Sequence, residues 1–347
     1  MLVLADKHHQ SLSHSLKMLF EDRLGHELYF PIGMEWFTEG YWALNNLEDT
    51  AKQYLEIGNT PKDGTMKLSD GKLVGDVYQI QDYHHYSIQK GITLDTFKKL
   101  KFDILIASVP AHIKPFKELI ARYQPQAKLI FQMGNHFSEV DDLLRSGEIK
   151  NLMASTIPFP TYGANAVFYH QEFDLNVFKP SGKPVEKMIT SFINVLNENG
   201  GMQNYYSLKS IMPEYQFFSY GGQCDDGSVV GIDNMARIMG ESAFGFMCKS
   251  GGDGFGHNLH NFFAVGTPVI INYSEYKDKL GGLLTIPDET CIIAEISDDM
   301  NTVAEKIRSI SPSKYEWMRQ RTFARFQEVV NFSKEQKDIE KFLERLI

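Results

Sequence analysis

Short apolar runs alternate with longer amphipathic stretches along most of the chain, the pattern of strands and helices in βα units built around parallel sheets. The opening run MLVLA (1–5) predicts a strand, 11–24 a helix with Leu12, Leu16, Leu19 and Phe20 on one face, and 26–30 the next strand. The alternation then stops. Residues 31–94 predict a long irregular stretch, with an aromatic cluster at Trp36, Phe37, Tyr41 and Trp42 and a polar, hairpin-like portion at 63–76. The pattern resumes with strand 102–109, helix 114–123 and strand 128–133, and a strand at 151–155 closes this half.

The segment FDLNVFKPSGKPVE (173–186) is rich in Pro, Gly and Lys and predicts a domain boundary. Beyond it the alternation restarts, with strands at 188–195, 216–220, 243–247, 268–272 and 291–294 and helices at 202–211, 232–240, 258–265 and 300–309. Two further helices are predicted at 313–329 and 333–346. The expectation is an α/β chain of two Rossmann-like parallel-sheet domains, 1–178 and 179–328. A C-terminal helix within 329–347 is expected to pack back on the first domain through Ile339, Phe342, Leu343 and Leu346.

Composition narrows the class. A chain of 347 residues is long enough for two domains with proper cores. No apolar run approaches the roughly 20 residues of a membrane span, and no basic region precedes the first apolar run, so that run reads as a buried strand and the chain as cytoplasmic. Cys224, Cys248 and Cys291 are odd in number and contain no CxxC pair, which argues against a disulfide scaffold or a structural zinc site. The net charge of -9 disfavours nucleic acid as a partner, with Lys98, Lys99 and Lys101 the local exception. In Asp82-Tyr83-His84-His85-Tyr86 the adjacent histidines point apart and no third ligand has suitable spacing, so no metal is implied.

The stretch KSGGDGFGHNLHNFFAVGTPVIIN (249–272) carries the candidate chemistry. A strand runs into a turn containing Gly251, Gly252, Gly254 and Gly256, then a helix, then Gly266-Thr267-Pro268 opens another strand. Such a turn lets backbone approach a ligand closely, and the N–H groups at the helix start offer an anion site.

The pattern D-G-F-G-x7-A-x-G-T-P-V-I resembles the donor-site signature of GT-B glycosyltransferases, E-G-F-G-x4-E-A-x-A-x-G-T-P-V-I; Gly254, Phe255, Gly256, Ala264, Gly266, Thr267, Pro268, Val269 and Ile270 coincide in register. The resemblance implies a GT-B fold with an interdomain cleft, a nucleoside diphosphate sugar as donor (UDP-sugar favoured), no further cofactor and no metal. It implies a carboxylate beside the donor sugar at Asp253 and a ribose-binding residue at Asn261, where asparagine replaces the family's second acid. Lys249, Ser250, His257 and Asn258 complete the diphosphate surroundings. FDLNVFKP resembles the family's interdomain segment, and FFSYGG, with Tyr220 and Gly221, resembles the strand and loop that flank the nucleotide base. The family's Arg and Lys on the diphosphate fall near Val195 and Gly200, leaving Lys249 as the replacement cation.

His136 resembles the histidine-bearing strand end that faces the donor sugar in retaining members, and His8 or His9 after the first strand is an acceptor-side base candidate. Asp253 and His136 match retention whereas His9 suits inversion, and both outcomes stay open. The resemblance implies a hydroxyl acceptor, with a glycan or small molecule favoured and modified DNA the alternative. Three alternatives remain: a phage-type DNA glycosyltransferase acting on a hydroxymethylated pyrimidine, which the VP turn, the Gln-containing strand end before His136 and FSYGG resemble; a nucleotide-sugar-binding pseudoenzyme; and a sugar-phosphate epimerase of the same fold, for which no catalytic acid pair is evident.

Overall fold

The computed structural model describes residues 1–6, 10–31, 67–74, 77–82, 87–92, 94–136, 138–182, 187–194, 196, 201–251 and 254–346. The chain forms two compact units, Met1–Phe173 with Phe332–Ile347, and Asp174–Asn331.

The first unit is built on a sheet of order β3-β4-β5-β2-β1-β6-β7-β8-β9. Its parallel part contains β1 (Leu2–Ala5), β2 (Glu27–Pro31), β5 (Ser87–Ile92), β6 (Ile104–Ala107), β7 (Lys128–Met133), β8 (Asn151–Ala154) and β9 (Asn165–Phe168). Val3 pairs with both Leu28 and Ile104, so β1 is central, and Val3, Leu4 and Ala5 are fully buried. Strands covered on both faces read as continuous apolar runs, which is why LVLA and ILIA stand out in the sequence.

Two strand predictions need correction. The stretch 31–94, expected to be irregular apart from a hairpin-like portion at 63–76, contains β5 and an antiparallel pair beside it, β3 (Lys67–Val74), which falls in that portion, and β4 (Val77–Asp82). Their sequences, KLSDGKLV and VYQIQD, have no apolar run, and the β3–β4 register shifts between Leu68 and Leu73, so pairing rather than composition makes them strands. Likewise β9, with the half-polar sequence NAVF, extends the sheet beyond β8, where the sequence predicts closure.

Helix α1 (Gln10–Lys17) passes into a π-helical turn at Met18–Arg23, within the span predicted as one helix. α2 (Leu94–Lys99), α3 (Ile113–Tyr123) and α4 (Ser138–Arg145) follow the parallel strands. The C-terminal helix Phe332–Glu344 belongs to this unit, and Ile339, Phe342, Leu343 and Leu346 are buried with Val3, Leu16, Phe20, Ile130 and Val167. Its first turn is fastened by polar contacts: the Glu335 carboxylate accepts from the His170 backbone N–H and pairs with His170 Nδ1, each at 2.7 Å. Phe332 meets the edge of Phe173 at 5.6 Å, and Arg23 lies over the Phe332 ring while its Nε donates to Glu172 at 2.6 Å. Burial raises the Glu172 pKa, against the opposing pull of Arg23.

The second unit is a parallel sheet of order β11-β10-β12-β13-β14. The strands are β10 (Met188–Ser191), β11 (Gln216–Ser219), β12 (Phe244–Met247), β13 (Val269–Ile271) and β14 (Cys291–Ile293). Between and after them run α5 (Met202–Ile211), α6 (Ile232–Glu241), α7 (His257–Ala264), α8 (Tyr273–Tyr276), α9 (Met300–Ser309) and α10 (Pro312–Val329). Asp299 caps α9 through Asn301 N, and Ser311 caps α10 through Lys314 N with Pro312 at the first helical position. Ile189, Phe244, Phe246, Ile270 and Val303 form the centre of one core cluster.

Replacing Glu335 by Ala strips the half-buried end of the C-terminal helix of two acceptors. Urea unfolding is expected to show a loss of about 1–3 kcal/mol, the usual cost of leaving buried donors unmet; an unchanged midpoint would refute the fastening role.

Candidate functional site

Parallel strands place all their carboxyl ends on one edge, where open α/β sheets hold ligands. In the second unit that edge is unusually close-packed. A Cβ on Gly201, which opens α5, would overlap the Cys248 carbonyl oxygen just past β12. A Cβ on Gly221, after β11, would lie 2.6 Å from Asn194 Cα, just past β10. The Asn194 side chain then accepts from Gly222 N at 2.6 Å, and the Gly221 amide donates to Gly227 O at 2.9 Å. Gly245 inside β12 has the Phe262 ring 2.7 Å from where a Cβ would be, which lets α7 settle on the sheet.

The glycine turn leads from β12 into α7. Gly256 caps the helix at φ 76° and ψ 57°, a left-handed conformation, with no side chain capping the helix start. First-turn amides of a helix have no acceptor within the helix, and the dipole favours negative charge there. Phe255 is buried, lying flat on His260 at 4.0 Å and edge-on to His257 at 4.8 Å. His260 is fully buried and its Nδ1 pairs with Gly256 O at 3.0 Å, so it supports the turn from beneath. Sequence reasoning passed over His260; its position four residues after Gly256 is the signal that could have found it.

The donor-site candidates therefore have distinct circumstances. Gly254, Phe255 and Gly256 form the described end of the turn, with Ser250 exposed on the β12 side. Lys249 is only 8% exposed, and its carbonyl accepts from Asn272 Nδ2 at 2.8 Å, tying the end of β13 to the exit of β12. Asn258 spends its Nδ2 on Phe192 O at 2.6 Å, which joins α7 to the exit of β10. Asn261 is 6% exposed, and its Oδ1 is buried with no hydrogen-bond partner among the described residues. Tyr220 is half-buried, parallel to Phe218 at 6.2 Å and tilted against Phe192 at 5.1 Å, and burial raises its pKa. Asp253, Val195 and Gly200 lie outside the described residues.

In the first unit, His136 sits beyond β7, stacked on Phe159 at 4.0 Å with Nε2 3.0 Å from Asp141 Oδ1 in α4. It is exposed and held by an acid, a geometry that orients the ring. His8 and His9, the aromatic cluster at Trp36, Phe37, Tyr41 and Trp42, and the Tyr83-His84-His85-Tyr86 run lie outside the described residues. A constellation that sequence reasoning missed is Asp6, at the end of β1. Its buried carboxylate accepts from Ser108 N at 2.6 Å, from the Ser108 hydroxyl, and pairs with His112 Nδ1 at 2.7 Å. Three residues from two strand ends and a 3-10 turn are thereby fixed together. Only the apolar-to-acid step at the strand end hinted at it. Among the described residues no group of three or more His, Cys, Asp or Glu side chains is arranged to hold a metal ion.

Two parallel-sheet units of this form give the chain the GT-B fold. No family model and no curated protein matches the sequence. Among solved structures, a sucrose-phosphate synthase from Thermosynechococcus elongatus is similar at TM-score 0.63 and 11% identity, covering 100% of this chain and 99% of that one. An alpha-glucosyltransferase in complex with UDP and a 13-mer DNA containing an HMU base is similar at TM-score 0.62 and 12% identity, with 99% of each chain covered. Anabaena HepE in complex with UDP and glucose is similar at TM-score 0.62 and 11% identity, covering 99% of this chain and 100% of that one.

Gly201→Ala tests the close-packed edge. Forcing a methyl group against the Cys248 carbonyl is expected to cost about 1–3 kcal/mol in urea unfolding, and wild-type stability in the variant would show that the loops have room to separate.

Proposed function

We propose that the protein is a glycosyltransferase that moves a sugar from a nucleoside diphosphate sugar to a hydroxyl acceptor, with the donor held at the glycine turn of the second unit. The observation that carries this reading is the pairing of a left-handed glycine helix start with a buried, unpartnered Asn261 Oδ1 in the same helix. A buried acceptor left unmet costs free energy. A ribose hydroxyl donating to Asn261 would meet it while the diphosphate lies on the first-turn amides. The register of residues 253–270 with the donor-site signature supports the same assignment, as does likeness to structures holding UDP.

In the transfer, the acceptor oxygen bonds to the anomeric carbon as the bond from that carbon to the diphosphate oxygen breaks. The diphosphate departs with the electron pair, and the hydroxyl proton passes to a base. His136, oriented by Asp141, and His9 are the base or sugar-contact candidates, with Asp253 beside the sugar. Charge growing on the leaving group is stabilised by the α7 dipole, worth about 0.3–2 kcal/mol, and by the Lys249 ammonium. This mechanism uses no divalent ion. No helix among the described residues is long and apolar enough to cross a membrane.

A second reading, that the acceptor is a hydroxymethylated base in DNA, is favoured by likeness to the alpha-glucosyltransferase bound to DNA and opposed by the net charge of -9. Transfer to hydroxymethylated duplex DNA, measured beside transfer to simple glycans, distinguishes the two. Absence of donor hydrolysis with every nucleoside diphosphate sugar would instead favour the pseudoenzyme.

Calorimetry with UDP, GDP, CDP and TDP is expected to find one tight nucleotide, and Asn261→Ala to weaken it by about 1–3 kcal/mol; equal affinity in variant and parent would remove the ribose role. Lys249→Ala is expected to lower turnover at least about tenfold, or 1.4 kcal/mol of barrier. Intact turnover would mean the leaving charge is met by other groups.

A further inference from the structure

We propose that the second unit has another binding site, at the amino edge of its sheet, for an organic anion with an apolar body. A pocket of about 750 Å³ lies there, bordered by residues just before β10, β11, β12 and β13 and by one face of α10. Well-packed interiors leave few voids larger than a water molecule, whereas ligand pockets run from about 300 to 1,000 Å³. The volume here falls within that ligand range.

The lining defines the occupant's chemistry. Phe244, Val265, Tyr315 and Phe323 supply apolar walls, and the first two are buried. The Tyr315 hydroxyl is already spent, donating to Ala243 O at 2.6 Å, and burial raises its pKa to about 12, so it offers the pocket a neutral ring. Charge comes from Lys187 and Arg319 against a single acid, Glu316. Glu316 accepts from Gln320 Nε2 at 3.0 Å. Arg319 Nη2 donates to Gly240 O at 3.2 Å, which orients the guanidinium without neutralising it. Among the described residues neither Lys187 nor Arg319 forms an ion pair, although Arg308 chiefly, and Lys187 to a lesser extent, hold the Glu214 carboxyl below its usual range. A fixed guanidinium beside apolar walls recognises a carboxylate or phosphate head on an aliphatic or aromatic body.

The pocket is separate from the glycine turn. α7 starts at the turn and ends against the pocket at Val265 and Gly266, so its eight residues, roughly 12 Å, lie between the two. The inference thus stands whether or not the donor assignment does.

Fluorescence titration of the full chain with 8-anilinonaphthalene-1-sulfonate tests it. Saturable binding is expected, weakened by about two- to fivefold, the size of one exposed ion pair, by Arg319→Gln and by Lys187→Gln. Gln320→Trp, which fills the pocket from an exposed position, is expected to do the same. The two exposed substitutions keep the test valid if Arg319→Gln lowers the melting temperature. UDP is expected not to displace the probe. Octanoate and octyl phosphate are expected to displace it at concentrations at least about tenfold below octanol, a 1.4 kcal/mol preference, and the better of the two identifies the head group. Unsaturable binding, equal affinity in all the variants, displacement by UDP, or octanol matching both anions would each overturn the proposal.

Discussion

Backbone contact without intervening side chains governs the carboxyl edge of the second sheet. Gly201 rests on the Cys248 carbonyl and Gly221 on the backbone of Asn194, so the segments following β10, β11 and β12 converge where any larger residue would hold them apart. Gly245 does the same inside the sheet, letting the Phe262 ring occupy the space a Cβ would fill. Overpacking at such contacts costs about 1–3 kcal/mol each, a large part of a domain's net stability. The position of α7, and with it the helix start at Gly256, follows from these approaches.

Side-chain amides then secure what the glycines bring together. Asn258 reaches the Phe192 carbonyl and Asn272 the Lys249 carbonyl, so α7 is tied to the exit of β10 and the end of β13 to the exit of β12. His260 accounts for the carbonyl of the capping glycine. Among the described residues the buried Asn261 Oδ1 has no such partner, a state that carries a free-energy cost. The two neighbouring asparagines differ in this respect: Asn258 Nδ2 is committed to the Phe192 carbonyl, whereas among the described residues Asn261 Oδ1 accepts from no donor.

The first unit uses charge where the second uses glycine. Asp6 binds two partners at the end of β1, and Glu335 fastens the C-terminal helix through His170. Both are acids surrounded by donors in protein rather than water, where hydrogen bonds to a charged group contribute about 1.5–3 kcal/mol. Neither belongs to a local motif. Asp6 and His112 are separated by 106 positions and His170 and Glu335 by 165, so the pairs exist only because the sheet and the final helix bring them together.

What the sequence determined by itself was local in origin. Apolar runs such as LVLA and ILIA identified the doubly covered strands, the 3.6-residue spacing of Ile339, Phe342, Leu343 and Leu346 identified the last helix, and Gly256 ahead of HNLHNFFA identified a turn into a helix. Tertiary structure alone decided what depends on partners far along the chain. The sequence marked a hairpin-like portion at 63–76, which contains β3, but β4 and the joining of both strands to β5 depend on pairing, since their polar sequences lack any run that burial would demand. Lys249 is buried and Asn261 has an unmet acceptor because of how neighbouring strand ends pack around them. The pocket beside Arg319 arises where α10 crosses the starts of four strands, and no pattern within a helix records what it will face. Periodicity reports which side of an element is covered; the identity of the cover, and the polar groups left over, come only from contacts between distant segments.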